Sequence, residues 1–321
     1  MPILNSNYKA SHFFKNGHFS TIYSGLIRRV HGVTQERERL FMNDGDFLDL
    51  DWSYTEKPTN RLIIILHGLE GNAQRCYMLG TAKFFNANSF DAVCVNFRGC
   101  SGEQNSNYKS YHSGATADLQ EIIDHILIHK KYDSIVIKGF SLGGNIALKY
   151  LGEREEIPKE VKTAVAVSVP CSLNGSCIEL HKFKNVLYHN RFKKYLLAKL
   201  KQKRIQFPDK VSSKDIMSIK TLKDFDDVYT SKAHGFKDAE DYYKQCSSLQ
   251  FLDKIEIPTL IINATNDTFL SADCFPEAIA EKNRNLFLEM PAHGGHVGFH
   301  EPDNVYYNEK HALKFVREKI L

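Results

Sequence analysis

Short, almost wholly apolar segments alternate with helix-like segments after residue 58, and this alternation restricts the fold more than any other feature of the chain. Strands that are apolar at nearly every position are typical of a parallel sheet covered by helices on both faces. The predicted strands are 62–66, 92–97, 134–140, 163–169, 258–263 and 286–290, and the predicted helices are 73–85, 115–129, 145–151 and 304–319. The sequence therefore predicts an α/β protein with a mostly parallel central sheet.

A serine lies at the centre of the segment Gly139-Phe140-Ser141-Leu142-Gly143, between the predicted strand 134–140 and the helix that follows it. Glycines two residues away on each side permit a turn so tight that larger side chains would collide with the neighbouring strand or helix. A turn of this kind lifts the serine hydroxyl clear of the sheet, where it can act as a nucleophile. We therefore predict that Ser141 attacks the substrate.

Two departures from the regular alternation suggest how the chain is organised. Residues 34–54 alternate polar and apolar positions around Asn43-Asp44-Gly45, which is typical of an antiparallel hairpin. Between residues 171 and 249 the spacing is helical and no strand is predicted. We expect one domain over residues 1–321, made of an N-terminal extension and hairpin (1–58), a core (59–170 and 250–321) and a helical cap insertion (171–249).

Two side chains that could activate a serine follow later strands. A serine hydroxyl is a weak nucleophile at neutral pH, so it needs a base, and the base needs an acid that fixes its tautomer. Asp267 lies in the loop after strand 258–263, and His296 lies in a glycine-rich loop after strand 286–290. The order serine, acid, histidine, each after a strand, is a known form of the catalytic triad. We therefore predict Ser141, Asp267 and His296 as the catalytic residues.

A second histidine competes with His296 for the role of base. Gly294 and Gly295 precede His296 and Gly298 follows it, so this loop is flexible enough to bring the imidazole back over the serine. His293 is nearer to the end of the strand and is the alternative. A zinc site built on the two histidines is not expected, because such a pair normally needs a regular helix to align its ligands.

Acyl chemistry also needs donors that stabilise the oxyanion. The Leu142 N–H lies at the predicted start of a helix, and the Leu69 N–H lies in the loop after strand 62–66, so we predict these two amides as the oxyanion hole. We interpret His67 as a hydrogen-bonded core histidine. We interpret Arg98 as a brace between loops, with a role in substrate binding as the less favoured alternative.

Composition restricts the function classes and the compartment. A net charge of +4 over 321 residues argues against a dedicated nucleic-acid-binding protein. Neither GxxxxGK[ST] nor GxGxxG occurs, so nucleotide use is not expected, and we predict neither a cofactor nor a metal. Seven cysteines without paired spacing suggest a reducing compartment. Since no signal peptide or membrane-spanning segment is evident, we expect a cytoplasmic protein.

The segment 182–204 is strongly basic and contains nine Lys and Arg residues but no acid. Its apolar residues recur at near-helical spacing, so two interpretations are open. The first, which we favour, is a cap helix with its apolar stripe on the core and its lysines in water. The second is an amphipathic helix that makes weak peripheral contact with an anionic membrane.

With these residues in place, the chain resembles the YheT-type branch of the α/β-hydrolases. That branch includes bacterial predicted esterases, yeast medium-chain fatty-acid ethyl-ester synthases and lipid-acting animal relatives. The resemblance extends over nearly the whole chain and depends on the combination of segments 16–18, 21–23, 44–52, 67–71, 96–102, 111–114, 139–145, 225–230, 234–236 and 294–299. This chain departs from the family pattern at Thr268, the residue after Asp267, where relatives tend to have proline.

The resemblance implies an α/β-hydrolase fold and an esterase or acyltransferase that uses the predicted triad. We expect a serine carboxylic-ester hydrolase that forms an acyl-enzyme and acts on short- to medium-chain acyl esters or lipids. One alternative is transfer of the acyl group from the same acyl-enzyme to an alcohol. Another, from a different class, is a non-catalytic ligand-binding protein that keeps the hydrolase shell. The expected partner is a small-molecule or lipid ester, and no oligomeric state is predicted.

Overall fold

A nine-stranded sheet forms the centre of the described part of the molecule in the computed structural model, which describes residues 3–320. Residues 1, 2 and 321, which the predicted domain includes, lie outside the described residues. The strands are β1 (Ile3–Leu4), β2 (Glu36–Phe41), β3 (Phe47–Ser53), β4 (Arg61–Leu66), β5 (Asp91–Asn96), β6 (Ser134–Phe140), β7 (Val161–Val167), β8 (Thr259–Ile262) and β9 (Leu286–Glu289). Their order across the sheet is β1-β9-β8-β7-β6-β4-β5-β3-β2.

All neighbouring strands pair in parallel except β2 with β3 and β3 with β5, which are antiparallel. The hairpin between β2 and β3 closes with Phe41 opposite Phe47, and Gly45 has a φ of +79°, in the left-handed region that favours glycine. The predicted mostly parallel sheet with an antiparallel hairpin is therefore confirmed. Strand β1, which pairs in parallel with β9, was not predicted.

Helices cover both faces of the sheet in the main body of the fold. All α-helices among the described residues are α1 (Gly17–Ile22), α2 (Cys76–Asn86), α3 (Thr116–His129), α4 (Leu142–Glu153), α5 (Leu173–His181), α6 (Val186–Gln206), α7 (Ser213–Ser218), α8 (Leu222–Phe225), α9 (Ser231–His234), α10 (Ala239–Cys246), α11 (Glu277–Lys282) and α12 (Tyr307–Ile320). The helices that pack on the sheet are α2, α3, α4, α11 and α12. Helix α4 begins at Leu142, three residues before the predicted start, because it continues directly from the turn at Ser141.

The buried apolar residues form two layers, one on each face of the sheet. On strand β4, Leu62, Ile64 and Leu66 face the layer that contains α3, α4 and α11, whereas Ile63 and Ile65 face the layer that contains α2 and α12. Alternate residues of a strand point to opposite faces, so a strand buried on both sides is apolar at nearly every position. This is the physical reason for the apolar strand pattern in the sequence.

Helices α5 to α10 lie between β7 and β8 in the chain and interrupt the strand–helix alternation. The buried Asn145 of α4 ties the last of them to the core. Its side-chain amide donates to the carbonyls of Ser113 and Cys246, at 2.8 Å each, and its oxygen accepts from the Ser248 N–H at 2.9 Å. The helices are therefore attached to the element that carries the predicted nucleophile.

The N-terminal segment, residues 12–27, forms a 3₁₀ turn (His12–Lys15), helix α1 and a π turn (Tyr23–Ile27). A buried ion pair anchors its end: the guanidinium of Arg28 makes two hydrogen bonds to the Glu309 carboxylate of α12, at 2.8 and 3.0 Å. Both side chains are only 1% exposed, so the ion pair lies inside the protein and attaches the end of the N-terminal segment to α12. No helix within residues 3–320 is long and apolar enough to cross a bilayer.

Candidate active site

Ser141 occupies a strained turn at the end of β6. Its φ is +52° and its ψ is −120°, a conformation that is costly for a residue with a side chain. A Cβ on Gly139 would lie 2.3 Å from the Gly143 carbonyl oxygen, and a Cβ on Gly143 would lie 2.5 Å from the Leu66 carbonyl oxygen. The two glycines therefore allow the strand and helix α4 to meet at the tight turn that the sequence predicts.

Asp267 and His296 come from the loops after β8 and β9 and meet in the structure. The His296 Nδ1–H donates to Asp267 Oδ2 at 2.8 Å, since a carboxylate can only accept. The Asp267 side chain is fully buried, and its other oxygen accepts from the Phe269 N–H at 2.9 Å. This pairing fixes the imidazole tautomer and leaves His296 Nε2 available as a base.

The serine and the imidazole are brought to the same place by residues far apart in the chain. Ser141 and His296 line the same two cavities, and the ring of Phe269 packs 4.3 Å from the His296 ring. Among residues 3–320 the structure forms no hydrogen bond between the Ser141 hydroxyl and His296. In ligand-free enzymes this contact is often long and shortens when substrate binds.

His293, the alternative base, lies outside this arrangement. It lines neither of the two cavities that Ser141 lines, and its buried Nδ1 has no hydrogen-bond partner in the described part of the chain. The structure therefore joins the acid to His296 and not to His293.

The N-terminal segment holds the loop that carries His296, and the sequence did not predict this contact. Thr21 Oγ1 accepts from the His296 backbone N–H at 2.8 Å and donates to the Gly17 carbonyl at 2.7 Å. Asn266 Oδ1 accepts from the Gly295 N–H at 2.9 Å. Nothing in the local sequence around residue 21 indicates this contact, because it joins residues 275 positions apart.

Replacing Thr21 with valine is expected to lower kcat for a p-nitrophenyl ester about tenfold, with little change in KM, because a small misplacement of a catalytic group is costly. Valine has nearly the same shape as threonine but cannot accept from the His296 N–H, so the histidine loop loses a fixed point. Steady-state kinetics measures the effect. Thr265→Val, at an exposed site nearby, is the control and should change kcat less than twofold. A Thr21→Val enzyme with wild-type kcat would contradict a positioning role.

The predicted oxyanion donors lie beside the serine. A Cβ on Gly68 would lie 3.1 Å from Ser141 Cβ, so the loop that carries Leu69 passes directly over Ser141. Leu69 and Leu142 both line a cavity that Ser141 also lines, and neither N–H donates to another protein group among residues 3–320. Two unpaired amides near one hydroxyl can stabilise negative charge on a bound carbonyl oxygen.

Two tyrosines brace the loop that carries Leu69, and neither was predicted. The Tyr111 hydroxyl accepts from the Glu70 N–H at 2.9 Å and donates to the Glu70 carboxylate at 2.7 Å. The same carboxylate pairs with Lys199 at 3.0 Å. The Gly68 N–H donates to the Tyr77 hydroxyl at 3.2 Å. Glu70 itself has a φ of +53°, so the loop is held in a strained conformation by side-chain hydrogen bonds.

His67 and Arg98 have the structural positions that the sequence suggested. His67 is fully buried, its Nδ1–H donates to the Gly68 carbonyl at 2.7 Å, and its Nε2 accepts from the Phe97 N–H at 3.2 Å. Burial lowers the pKa of His67 to about 3, so the ring stays neutral. The Arg98 guanidinium pairs with three carboxylates on separate segments, those of Asp44, Asp46 and Asp118.

Ser141 lies between two cavities with different linings. The inner cavity, under helices α5 to α10, has a largely buried apolar and aromatic lining that includes Leu173, Leu200, Phe225, Tyr229 and Tyr242. The outer cavity lies between the N-terminal segment and α6, and its lining includes the exposed side chains of Ile22, Leu26, Leu187 and Tyr195. The outer cavity therefore reaches the surface.

One ionisable group stands out in the lining of the inner cavity. The Asp226 carboxylate accepts from the hydroxyls of Tyr243 and Thr230, at 2.7 Å each. Burial raises the pKa of Asp226 to about 6. The lining also includes charged residues that are each paired or hydrogen-bonded within the protein, namely Glu70, Arg98, Lys199 and Lys203.

No group of three or more His, Cys, Asp or Glu side chains suited to a metal occurs in residues 3–320. All seven cysteines are free thiols.

Comparison with known proteins identifies the family. Residues 61–303 match the family model described as alpha/beta hydrolase fold. The chain is 33% identical to the protein named "Putative esterase YheT" of Escherichia coli strain K12, over 89% of this chain and 85% of that protein. It is 27% identical to the mouse protein named phospholipase ABHD3, over 99% of this chain and 80% of that one. It is 25% identical to the human protein named monoacylglycerol lipase ABHD2, over 89% of this chain and 72% of that one.

Solved structures show the same fold. The Pyrococcus furiosus esterase Pf2001 superimposes with a TM-score of 0.61 at 17% sequence identity, covering 92% of this chain and 97% of that one. The relatives bear the names of esterases and lipases, and the chain is itself an ester hydrolase of this kind. The chain belongs to the α/β-hydrolase family, in the branch that includes the Escherichia coli YheT protein.

Proposed function

We propose that the protein hydrolyses carboxylic esters through a triad of Ser141, His296 and Asp267. The Ser141 hydroxyl attacks the ester carbonyl while His296 Nε2 takes its proton. His296 then gives that proton to the leaving alcohol, and an acyl-enzyme ester remains on Ser141. A water molecule, deprotonated by His296, attacks this ester, so the acid leaves and the serine regains its proton. The observation that carries the proposal is the 2.8 Å bond from His296 to the buried Asp267 beside the strained serine.

The amides of Leu69 and Leu142 stabilise the oxyanion in both steps of this proposal. Negative charge develops on the former carbonyl oxygen only in the transition states and tetrahedral intermediates, so donors fixed in advance lower the barrier. Leu142 also begins helix α4, whose N-terminal end favours negative charge. The hydrogen bonds that the Gly68 and Glu70 amides donate to the hydroxyls of Tyr77 and Tyr111 keep the neighbouring Leu69 amide in place.

The acyl group of this substrate is a short to medium aliphatic chain that lies in the inner cavity. Support comes from the buried apolar and aromatic lining, which offers a chain favourable burial at about 0.8 kcal/mol per CH₂. Segment 171–249 acts as a cap in this proposal, since helices α5 to α10 supply much of that lining and Asn145 ties them to the core. The names of the lipase relatives agree with a lipid ester as substrate.

The outer cavity gives the leaving alcohol an exit and water an entrance. Its lining shares Ser141, His296 and Leu69 with the inner cavity and includes exposed side chains. Water can therefore reach the acyl-enzyme from the side opposite the acyl chain, which favours hydrolysis over transfer to a second alcohol. Each step uses only groups of the chain and water.

The test is turnover of p-nitrophenyl esters from acetate to octanoate, together with labelling by a fluorophosphonate. We expect release of p-nitrophenol, and we expect the label on the peptide that contains Ser141. If an alcohol such as ethanol is added, the free acid should remain the main product. A wild-type protein that neither turns over these esters nor takes the label would instead support a ligand-binding protein on a hydrolase shell.

A further inference from the structure

Exposed apolar side chains are concentrated on one face of the molecule. Of the fifteen large hydrophobic side chains exposed in residues 3–320, nine belong to two segments, the N-terminal segment and residues 183–195. These nine are Phe13, Phe19, Ile22, Leu26, Ile27, Phe183, Val186, Leu187 and Tyr195. Two of them are extreme, since Phe183 is 92% exposed and Phe13 is 72% exposed. Clustered exposure of this kind indicates a surface that is covered by something else.

The two segments lie side by side and surround the outer cavity. His18 of the N-terminal segment hydrogen-bonds to the Tyr188 hydroxyl of α6 at 3.2 Å, and the two rings stack at 5.7 Å. Ile22 and Leu26 from one segment and Leu187 and Tyr195 from the other line the cavity that leads to Ser141. The exposed apolar face therefore surrounds the opening to the proposed nucleophile.

The charges on this face are almost all positive. Residues 1–35 contain no Asp or Glu, and neither do residues 182–204. Exposed cations among the described residues of these two ranges include Lys15, Arg29, Lys182, Lys184 and Lys194. Lys182 and Lys184 pair with Glu179, a carboxylate just before this region. A face with apolar side chains, basic side chains and hardly any carboxylates complements an anionic lipid surface.

A cap helix with all its apolar residues on the core does not account for this face. The inward residues of α6 do agree with that interpretation, since Phe192, Leu196 and Leu200 line the inner cavity. Phe183, Val186 and Leu187, however, point to the exterior at 92%, 40% and 76% exposure. Helix α6 thus has two apolar sides, one toward the inner cavity and one toward solvent.

We propose that the docking face, made of residues 13–27 and 182–195, binds the surface of an anionic membrane and presents the outer cavity to it. The apolar side chains enter the interfacial region of the bilayer, and the lysines and arginines contact the lipid phosphates. A lipid ester can then pass into the outer cavity and reach Ser141 without crossing bulk water. This passage depends on the proposed ester hydrolysis, whereas binding to the membrane does not.

Co-sedimentation with vesicles tests the docking face. The vesicles are phosphatidylcholine alone or an equal mixture of phosphatidylcholine and phosphatidylglycerol, at low salt. We expect wild-type protein to partition at least about tenfold more strongly to the anionic vesicles, and we expect 0.5 M NaCl to remove most of this preference by screening. The double variant Phe13→Ser/Phe183→Ser should lose about tenfold or more of the partitioning, because it removes two large apolar side chains from the interface.

A matched control removes equally exposed apolar side chains elsewhere. Phe41 and Ile128 are 76% and 75% exposed and belong to neither segment of the docking face. Phe41→Ser/Ile128→Ser should partition within twofold of wild type. Both double variants should turn over p-nitrophenyl acetate within twofold of wild type, because none of the four residues lines either cavity.

Several outcomes would overturn the docking proposal. These are equal partitioning of wild type to both kinds of vesicle, no partitioning at all, or full binding by Phe13→Ser/Phe183→Ser. A dimer that dissociates in this variant, without vesicle binding by wild type, would assign the face to a second copy of the chain. Ser141→Ala should bind vesicles as wild type does. Vesicle binding without any ester turnover would therefore support docking while contradicting the hydrolase.

Discussion

Replacing Ser141 with alanine is expected to lower kcat/KM for p-nitrophenyl butyrate by about 10⁴-fold or more, because the variant cannot form the acyl-enzyme. The fold should survive, since alanine differs from serine only by the hydroxyl and the strained turn is already accommodated by Gly139 and Gly143. Initial rates measure the loss. Mass spectrometry of fluorophosphonate-treated protein should show no adduct on the variant.

The control for this substitution is Ser218→Ala, which changes an exposed serine at the end of α7. It should retain kcat/KM within twofold of wild type and should label with the fluorophosphonate. Thermal unfolding of Ser141→Ala should stay within a few degrees of wild type, which separates loss of chemistry from loss of fold. Turnover by Ser141→Ala at more than about one hundredth of the wild-type rate would contradict the serine mechanism.

Replacing His296 with alanine should lower kcat by about 10⁴-fold or more, a loss similar to that of Ser141→Ala, because members of a triad act as one unit. The double variant Ser141→Ala/His296→Ala should then be little slower than either single variant. The reason is that neither residue can accelerate the reaction once the other has been removed. Kinetic constants for the three variants and wild type measure this non-additivity.

The same loop supplies the matched control. His293→Ala should keep kcat within about threefold of wild type, because only His296 bonds to Asp267 and lines the cavities beside Ser141. If His293→Ala were as damaging as His296→Ala, the loop would have to rearrange during the reaction. If His293→Ala alone were damaging, the choice of base would be wrong.

The N-terminal segment connects the two proposals made for this protein. It contributes Thr21, which holds the backbone of His296, and it also carries Phe13, Phe19 and Ile22 on the docking face. The proposed membrane contact and the position of the proposed catalytic histidine therefore involve the same short piece of chain. The buried Arg28–Glu309 pair fixes the end of this piece to the core.

The sequence alone was sufficient for features that depend on local spacing. The apolar strands, the Asp-Gly hairpin and the glycine-flanked serine each follow from a steric or burial requirement that acts within a few residues. Strand β4 is apolar from Leu62 to Leu66 because both of its faces are covered there, and Gly139 and Gly143 are glycines because a Cβ at either would collide with backbone. The fold class and the position of Ser141 could therefore be predicted directly.

Tertiary structure was needed for features that join distant segments. The sequence placed an acid and two histidines after the correct strands, but only the three-dimensional arrangement shows that His296, rather than His293, bonds to Asp267. Only the structure shows that β1 pairs with β9 and that Thr21 contacts a histidine 275 residues away. Only the structure shows that Phe183 is exposed whereas Leu200 is buried. Spacing in a sequence specifies which residues can share a face, whereas long-range packing decides what that face meets.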